Sequence, residues 1–252
     1  MNIFTVNPLL NHVRKNKFLP TDTYLSPSWS GTDTKETFEK NLKAQSQDWY
    51  YRTHKVTYKN NSQGYRTDEF DKINWAESIV IFGCSNAYGV GLSDEDTISS
   101  RLSEMTGRPV VNLGSGGSSM TFALHNSIIL DDGYPTPFAV VYIWPDYTRV
   151  IEYNRSSIKN HGSWNMEPNS LMDVWNKNSH HAKVNATFIQ KTATLLWQHK
   201  SRYFEGSFSG PNEWLGCKHF KNLDKARDLL HPGIESAKLA ANDIAKGLQL
   251  CK

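Results

Sequence analysis

From Ser78 onward two kinds of stretch alternate along the chain. Three short apolar runs, SIVIF (Ser78 to Phe82), PVVNL (Pro109 to Leu113) and FAVVYIW (Phe138 to Trp144), each stop abruptly at glycine or polar residues. Continuous runs of this length suit parallel strands covered on both faces. Between and after them the spacing turns helical. Ser93 is a good N-cap, Asp94, Glu95 and Asp96 favour a helix start, Ile98, Leu102 and Met105 share a face, and Gly107 can close the helix. A second helix is predicted from Ser118 to about Leu130. A third runs from about Ala182 to Lys200, with Val184, Phe188 and Leu195 as its apolar face. A last one begins near Pro232, with Ile234, Ala237, Ala241, Ile244 and Leu248 as its buried stripe. The alternation predicts a three-layer α/β/α sandwich around a mostly parallel sheet. In such sheets, sites form beyond the carboxyl ends of the strands.

Residues 1–74 differ: they are polar, carry Pro8, Pro20 and Pro27, and are rich in Trp, Tyr, Asn and Thr. HKVTYKNNSQGYRTDEF reads as a short strand, a turn at Asn60 to Gly64 and an extended return carrying Arg66 and Asp68. The expected organisation is an N-terminal extension, 1–74, packed on a main domain, 75–252.

Composition narrows the function classes. A hydrophobic fraction of 38% with 21% charged residues describes a globular chain. A net charge of +3, with dispersed Lys and Arg, gives no basis for a nucleic-acid partner or an anionic membrane. Cys84, Cys217 and Cys251 are far apart and form no CxxC, so neither a disulfide framework nor a zinc site is expected. No signal-peptide pattern or membrane-length apolar run stands out, and the expectation is a cytoplasmic protein. His180-His181 has no accompanying ligand spacing, and neither GxGxxG nor a phosphate-binding GxxxxGK[ST] occurs. No metal and no organic cofactor are expected.

The candidate chemistry sits at the predicted strand ends. GCSNAYG places Cys84 and Ser85 after the first strand, and NLGSGGSS places a glycine-rich turn after the second. Near the C-terminus, DLLHP sets Asp228 three residues before His231. A serine nucleophile needs a base, a group to orient that base, and donors for the developing oxyanion. Three of these short blocks, in this order, resemble the SGNH (GDSL-type) hydrolases, a family of esterases, lipases and carbohydrate deacetylases. GCSNAYG resembles GDSxTxG, NLGSGGSS resembles NxGxxGxT, and Asp228, His231 and Pro232 match DxxHP.

The resemblance covers roughly Ser78 to the C-terminus and implies a serine esterase. Ser85 would be the nucleophile, Asp228 and His231 the remaining triad members, and the Ser85 and Gly117 N–H groups the oxyanion hole. The expected substrate is a small-molecule or glycan ester with a short acyl group. Two departures stand out. Cys84 replaces the aspartate of GDS, which raises the rival reading of a thiol enzyme. The third block, GxND, reads WPDYTR here and lacks its asparagine, leaving Trp144, Asp146 or Asn154, with Thr148, as substitute donors or lining. Arg149, close after the third strand, is expected to pair with Asp146 or Glu152, the alternative being an anionic group of the substrate. Trp49, Tyr50, Tyr51, Trp144, Tyr147 and Trp164 are aromatics of the kind that line sugar sites. Loss of the third-block amide also leaves a second reading, an SGNH-like binding or structural module in which Trp144 or Tyr88 fills the crevice.

Overall fold

The run at Ser78 folds as strand β1 (Ile79–Gly83), followed by β2 (Val110–Gly114), β3 (Ala139–Ile143), β4 (Val150–Tyr153), β5 (Ile158–His161), β6 (Arg202–Ser207) and β7 (Lys218–His219). The α-helices are α1 (Lys35–Ala44), α2 (Ser85–Tyr88), α3 (Ile98–Thr106), α4 (Met120–Gly133), α5 (Ser179–Trp197) and α6 (Ile234–Gly247). The computed structural model describes residues 17–21, 26–153, 158–165, 167–168, 170, 172–173, 175 and 179–250. Five strands form one sheet in the order β2-β1-β3-β6-β7, and every pair in it is parallel. β4 and β5 form a separate antiparallel pair.

Period-two alternation divides the sheet residues between two cores. Val80, Phe82, Val140 and Tyr142 pack under α4 and α5, beside Met120, Ala123, Ile129, Ala186, Ile189 and Trp197. Ile79, Ile81, Ala139, Val141 and Ile143 pack under α3 and α6, beside Leu102, Ala237, Ala241 and Ile244. The fold is therefore an α/β/α sandwich. The order reverses at β1, whose neighbours β2 and β3 leave in opposite directions, and a crevice opens at their carboxyl ends.

Several local expectations are corrected. Ser93 does not cap α3: its hydroxyl donates to the Lys55 carbonyl, and Thr97 caps Ser100 N–H after a 3-10 turn at Asp94–Asp96. Met105 lies outward. α6 starts at Ile234, after Pro232, with the Asp224 carboxylate accepting from the N–H groups of Glu235 and Ser236. On α5 the predicted face is the exposed one, with Phe188 and Leu195 each 70% exposed and Val184 also outward. The inner face carries Ala182, Ala186, Ile189, Ala193 and Trp197, whose alanines admit close packing. Gln190 on that face donates to the Glu205 carboxylate at 2.6 Å, a demand that hydrophobic spacing does not encode. The expected strand before Asn60 is absent: Tyr58 N–H donates instead to the Pro27 carbonyl. The turn itself is present, with Asn61 Oδ1 accepting from Gln63 and Tyr65 N–H and Gly64 at φ 85°. β6 was not anticipated, because Arg202, Glu205 and Ser207 interrupt its apolar run. Among the described residues no helix is long and apolar enough to cross a membrane.

Candidate active site

The site begins where β1 ends. A Cβ on Gly83 would stand 2.5 Å from the Ile143 carbonyl oxygen and 2.8 Å from Ala87 Cβ, so only glycine lets β1 turn directly into α2. Cys84 is the extended residue before α2 and is fully buried. Ser85 is the first residue of α2, and its Oγ has one polar neighbour, Cys84 Sγ at 3.9 Å. Arg66 does not enter the site. Its buried guanidinium donates to the carbonyls of Gly89 (2.7 Å), Leu92 (2.8 Å) and Thr57 (2.9 Å) and to Asp94 (2.6 Å), which satisfies the carboxyl end of α2.

The glycine-rich turn is fastened to the same place. Asn112 donates to the Ala87 carbonyl at 2.8 Å and accepts from Gly114 N–H at 2.9 Å. Ser115 N–H and the Ser118 hydroxyl both donate to the Gly83 carbonyl at 3.0 Å. Gly117 holds φ 69°, a conformation that disfavours any side chain. Among the described residues neither Ser85 N–H nor Gly117 N–H donates to another protein group.

The Asp228–His231 loop is brought over by close backbone approach. Gly91, at φ 79°, has Ala226 Cβ 2.8 Å from where its own Cβ would stand, and its carbonyl accepts from Arg227 N–H at 3.1 Å. Asn41 on α1 donates to the Arg227 carbonyl at 3.0 Å. The Arg227 guanidinium is paired in the interior with Asp33 at 2.8 Å. Within the loop, Asp228 Oδ1 accepts from the N–H groups of Leu230 (3.0 Å) and His231 (3.1 Å), and Oδ2 lies 2.6 Å from His231 Nδ1. The Thr32 hydroxyl also donates to Oδ2, at 2.6 Å. Burial opposes charge on Asp228, but the hydrogen bond and charge of His231, then the Thr32 hydroxyl and the His231 N–H, outweigh it and hold the carboxyl at about 2.

Ser85 and His231 meet on one cavity of about 470 Å³, which Ser30, Gly31, Thr32, Val90, Gly116, Gly117, Arg149, Asn160 and Trp164 complete. They make no direct hydrogen bond to each other, and His231 Nε2 has no partner among the described residues.

The other expected residues lie elsewhere. Trp144 is buried, stacked on Tyr142, and its indole N–H donates to Glu205 at 3.0 Å, so it is spent as a donor. Asp146 accepts from the Thr148 N–H (2.9 Å) and hydroxyl (2.7 Å), a local turn that also occupies Thr148. Asn154 lies outside the described residues. Tyr88 is buried against Tyr58, away from the cavity. Arg149 has neither expected ion pair: Asp146 is held by Thr148 and Ser209, and Glu152 by His161. No motif marks Thr32 or Asn160, which reach the site only through the folding of residues 26–34 and of the β4–β5 pair. Trp164 was visible only as one aromatic among many. Among the described residues no cluster of His, Cys, Asp and Glu has the arrangement of a metal site.

No protein-family model and no curated protein matches the chain. Among solved structures, the chain is similar to a Bacteroides uniformis protein designated a GDSL-like lipase, at 12% identity and a TM-score of 0.43, over 69% of this chain and 96% of that one. A carbohydrate esterase family 2 enzyme with a carbohydrate-binding domain, from Corynascus thermopiles (Myceliophthora fergusii), aligns at 13% identity and a TM-score of 0.41, over 69% and 67%. A Bacteroides ovatus GDSL-like lipase gives 15% identity and a TM-score of 0.36, and the chain spans about half, 54%, of its length.

Proposed function

We propose that the chain is a serine esterase that removes a short acyl group from a small-molecule or glycan alcohol. The observation that carries this reading is the cavity shared by Ser85 and His231, with the imidazole Nδ1 bound 2.6 Å from a buried Asp228. Ser85 Oγ attacks the acyl carbonyl while His231 Nε2 takes its proton. Asp228 fixes the tautomer that leaves Nε2 as the base and stabilises the imidazolium that forms. The Ser85 and Gly117 N–H groups receive the oxyanion. His231 returns the proton to the leaving alcohol, and then activates the water that cleaves the acyl-enzyme. Asn160, which lines the same cavity, brings in the carboxamide that the third sequence block lacks, and we assign it as the third donor. Cys84 is buried and does not line the cavity, which supports oxygen over sulfur as the nucleophile. Neither Trp144 nor Tyr88 fills the crevice, which favours an enzyme over a lapsed module.

The test is labelling with a fluorophosphonate probe. Wild-type protein should be labelled, and Ser85→Ala and His231→Ala should not be. Folded wild-type protein that takes no label would overturn the reading. Asn160→Ala should retain substrate binding and lose about 10²-fold in kcat, as removal of an oxyanion donor does.

A further inference from the structure

We infer that Arg149 selects the substrate, and that it selects an ester bearing a carboxylate. The inference rests on the esterase reading and narrows it. Arg149 lines the cavity with Ser85 and His231. Among the described residues it has no carboxylate partner, since the acidic side chains nearest in sequence are engaged elsewhere. It makes one long hydrogen bond, 3.4 Å to the Ser118 carbonyl. A guanidinium carries five donors in a planar fork, so most of this one's capacity is unused.

The fork is held from one side. Its centre lies 5.1 Å from the Trp164 ring, and that ring packs over Gly162 and stands 3.5 Å from where a Cβ of Gly117 would be. Stacking of this kind fixes the guanidinium without neutralising it. Among the described residues no Asp, Glu or Lys lines the cavity, and Arg149 is the permanent charge they place on its wall. A cation in a concave wall favours an anionic ligand, and a guanidinium pairs with a carboxylate through two parallel hydrogen bonds. One positive charge balances a carboxylate; a phosphate dianion would leave net negative charge against the wall. Trp164, 54% exposed, offers the remaining flat surface to the C–H face of a ring. An O-acylated acidic sugar has both features.

The experiment compares an O-acetylated methyl glucuronide with the corresponding O-acetylated glucuronamide, in which a neutral carboxamide of nearly the same size, and no second ester, replaces the carboxylate. Wild-type kcat/KM should favour the free carboxylate, mainly through KM. Arg149→Met should reduce that preference at least about tenfold, the scale of a hydrogen bond to a charged group. Equal wild-type rates, an equal loss on both esters in Arg149→Met, or preference for the corresponding sugar phosphate would each overturn the inference. Calorimetry of the acetylated glucuronide with Ser85→Ala protein reads the anion site independently of hydrolysis. Binding there that Arg149→Met abolishes supports it, and no binding overturns it. Fluorophosphonate labelling of wild type separates that outcome from failure of the esterase reading.

Discussion

Asp228 is buried, yet four contacts make it a better anion than a free aspartate: two backbone N–H groups, the His231 ring nitrogen with its charge, and the Thr32 hydroxyl. Its folded value of about 2 lies below the roughly 3.9 of an unfolded chain. The stability it contributes is therefore fully present above about pH 4 and is lost as pH falls through about 2. The unfolding free-energy difference between wild type and Asp228→Asn should shrink over that window, as urea titrations would read. Any acid limb in esterase activity centred above about pH 4 then belongs to another group. Under the proposed esterase mechanism, Asp228→Asn should lose about 10⁴-fold in kcat at neutral pH, the scale for a triad whose imidazole is left in the wrong tautomer. Thr32→Val removes one donor to the carboxylate and should move the Asp228 carboxyl up from about 2, which carboxyl-carbon NMR titration would detect.

Among the elements, packing rather than propensity decides which face turns inward. Helix α5 could bury Phe188 and Leu195 by hydrophobic spacing alone, but that rotation would expose Trp197 and Ile189 and strip Glu205 of the Gln190 amide. Phe188→Glu should therefore change unfolding stability by less than about 0.5 kcal/mol. Ala186→Leu on the opposite face should cost about 1–3 kcal/mol by overpacking against α4 and the sheet. The turn after α2 is equally constrained. Gly91→Ala adds a methyl 2.8 Å from Ala226 at φ 79°, so the loop carrying Asp228 must move away. A loss of about 2 kcal/mol or more in unfolding, with weakened probe labelling of Ser85, is the expected result.

Across the molecule, residues 26–34 are tied to a loop nearly two hundred positions later. Asp33 and Arg227 form an almost fully buried ion pair, and the Tyr58 hydroxyl donates to the same carboxylate. The same segment supplies Ser30, Gly31 and Thr32 to the cavity wall. Asp33→Ala would strand a buried guanidinium and should cost about 3–5 kcal/mol, measurable by chemical denaturation.

The sandwich was legible because β1, β2 and β3 are buried on both faces, and such strands must read as unbroken apolar runs. The turns at Ser85 and Gly117 were legible because glycine is needed where a strand bends at once into the next element. Asp228 and His231 were legible because their contact is local, three residues apart. The rest depends on distance in sequence. β6 is hidden by Arg202 and Glu205, whose partners lie on other elements. Thr32 and Asn160 share no motif with Ser85, and only chain closure brings them to it. Arg149 shows the limit most directly. Its neighbours in sequence, Asp146 and Glu152, implied an ion pair, whereas Thr148, Ser209 and His161 claim those carboxylates in space. Where strands end, and which residue types stand there, can be read along the chain, because backbone geometry and burial act locally. The tertiary structure alone decided which charges are neutralised and which face the cavity, because Coulomb and hydrogen-bond partners are chosen by proximity in space.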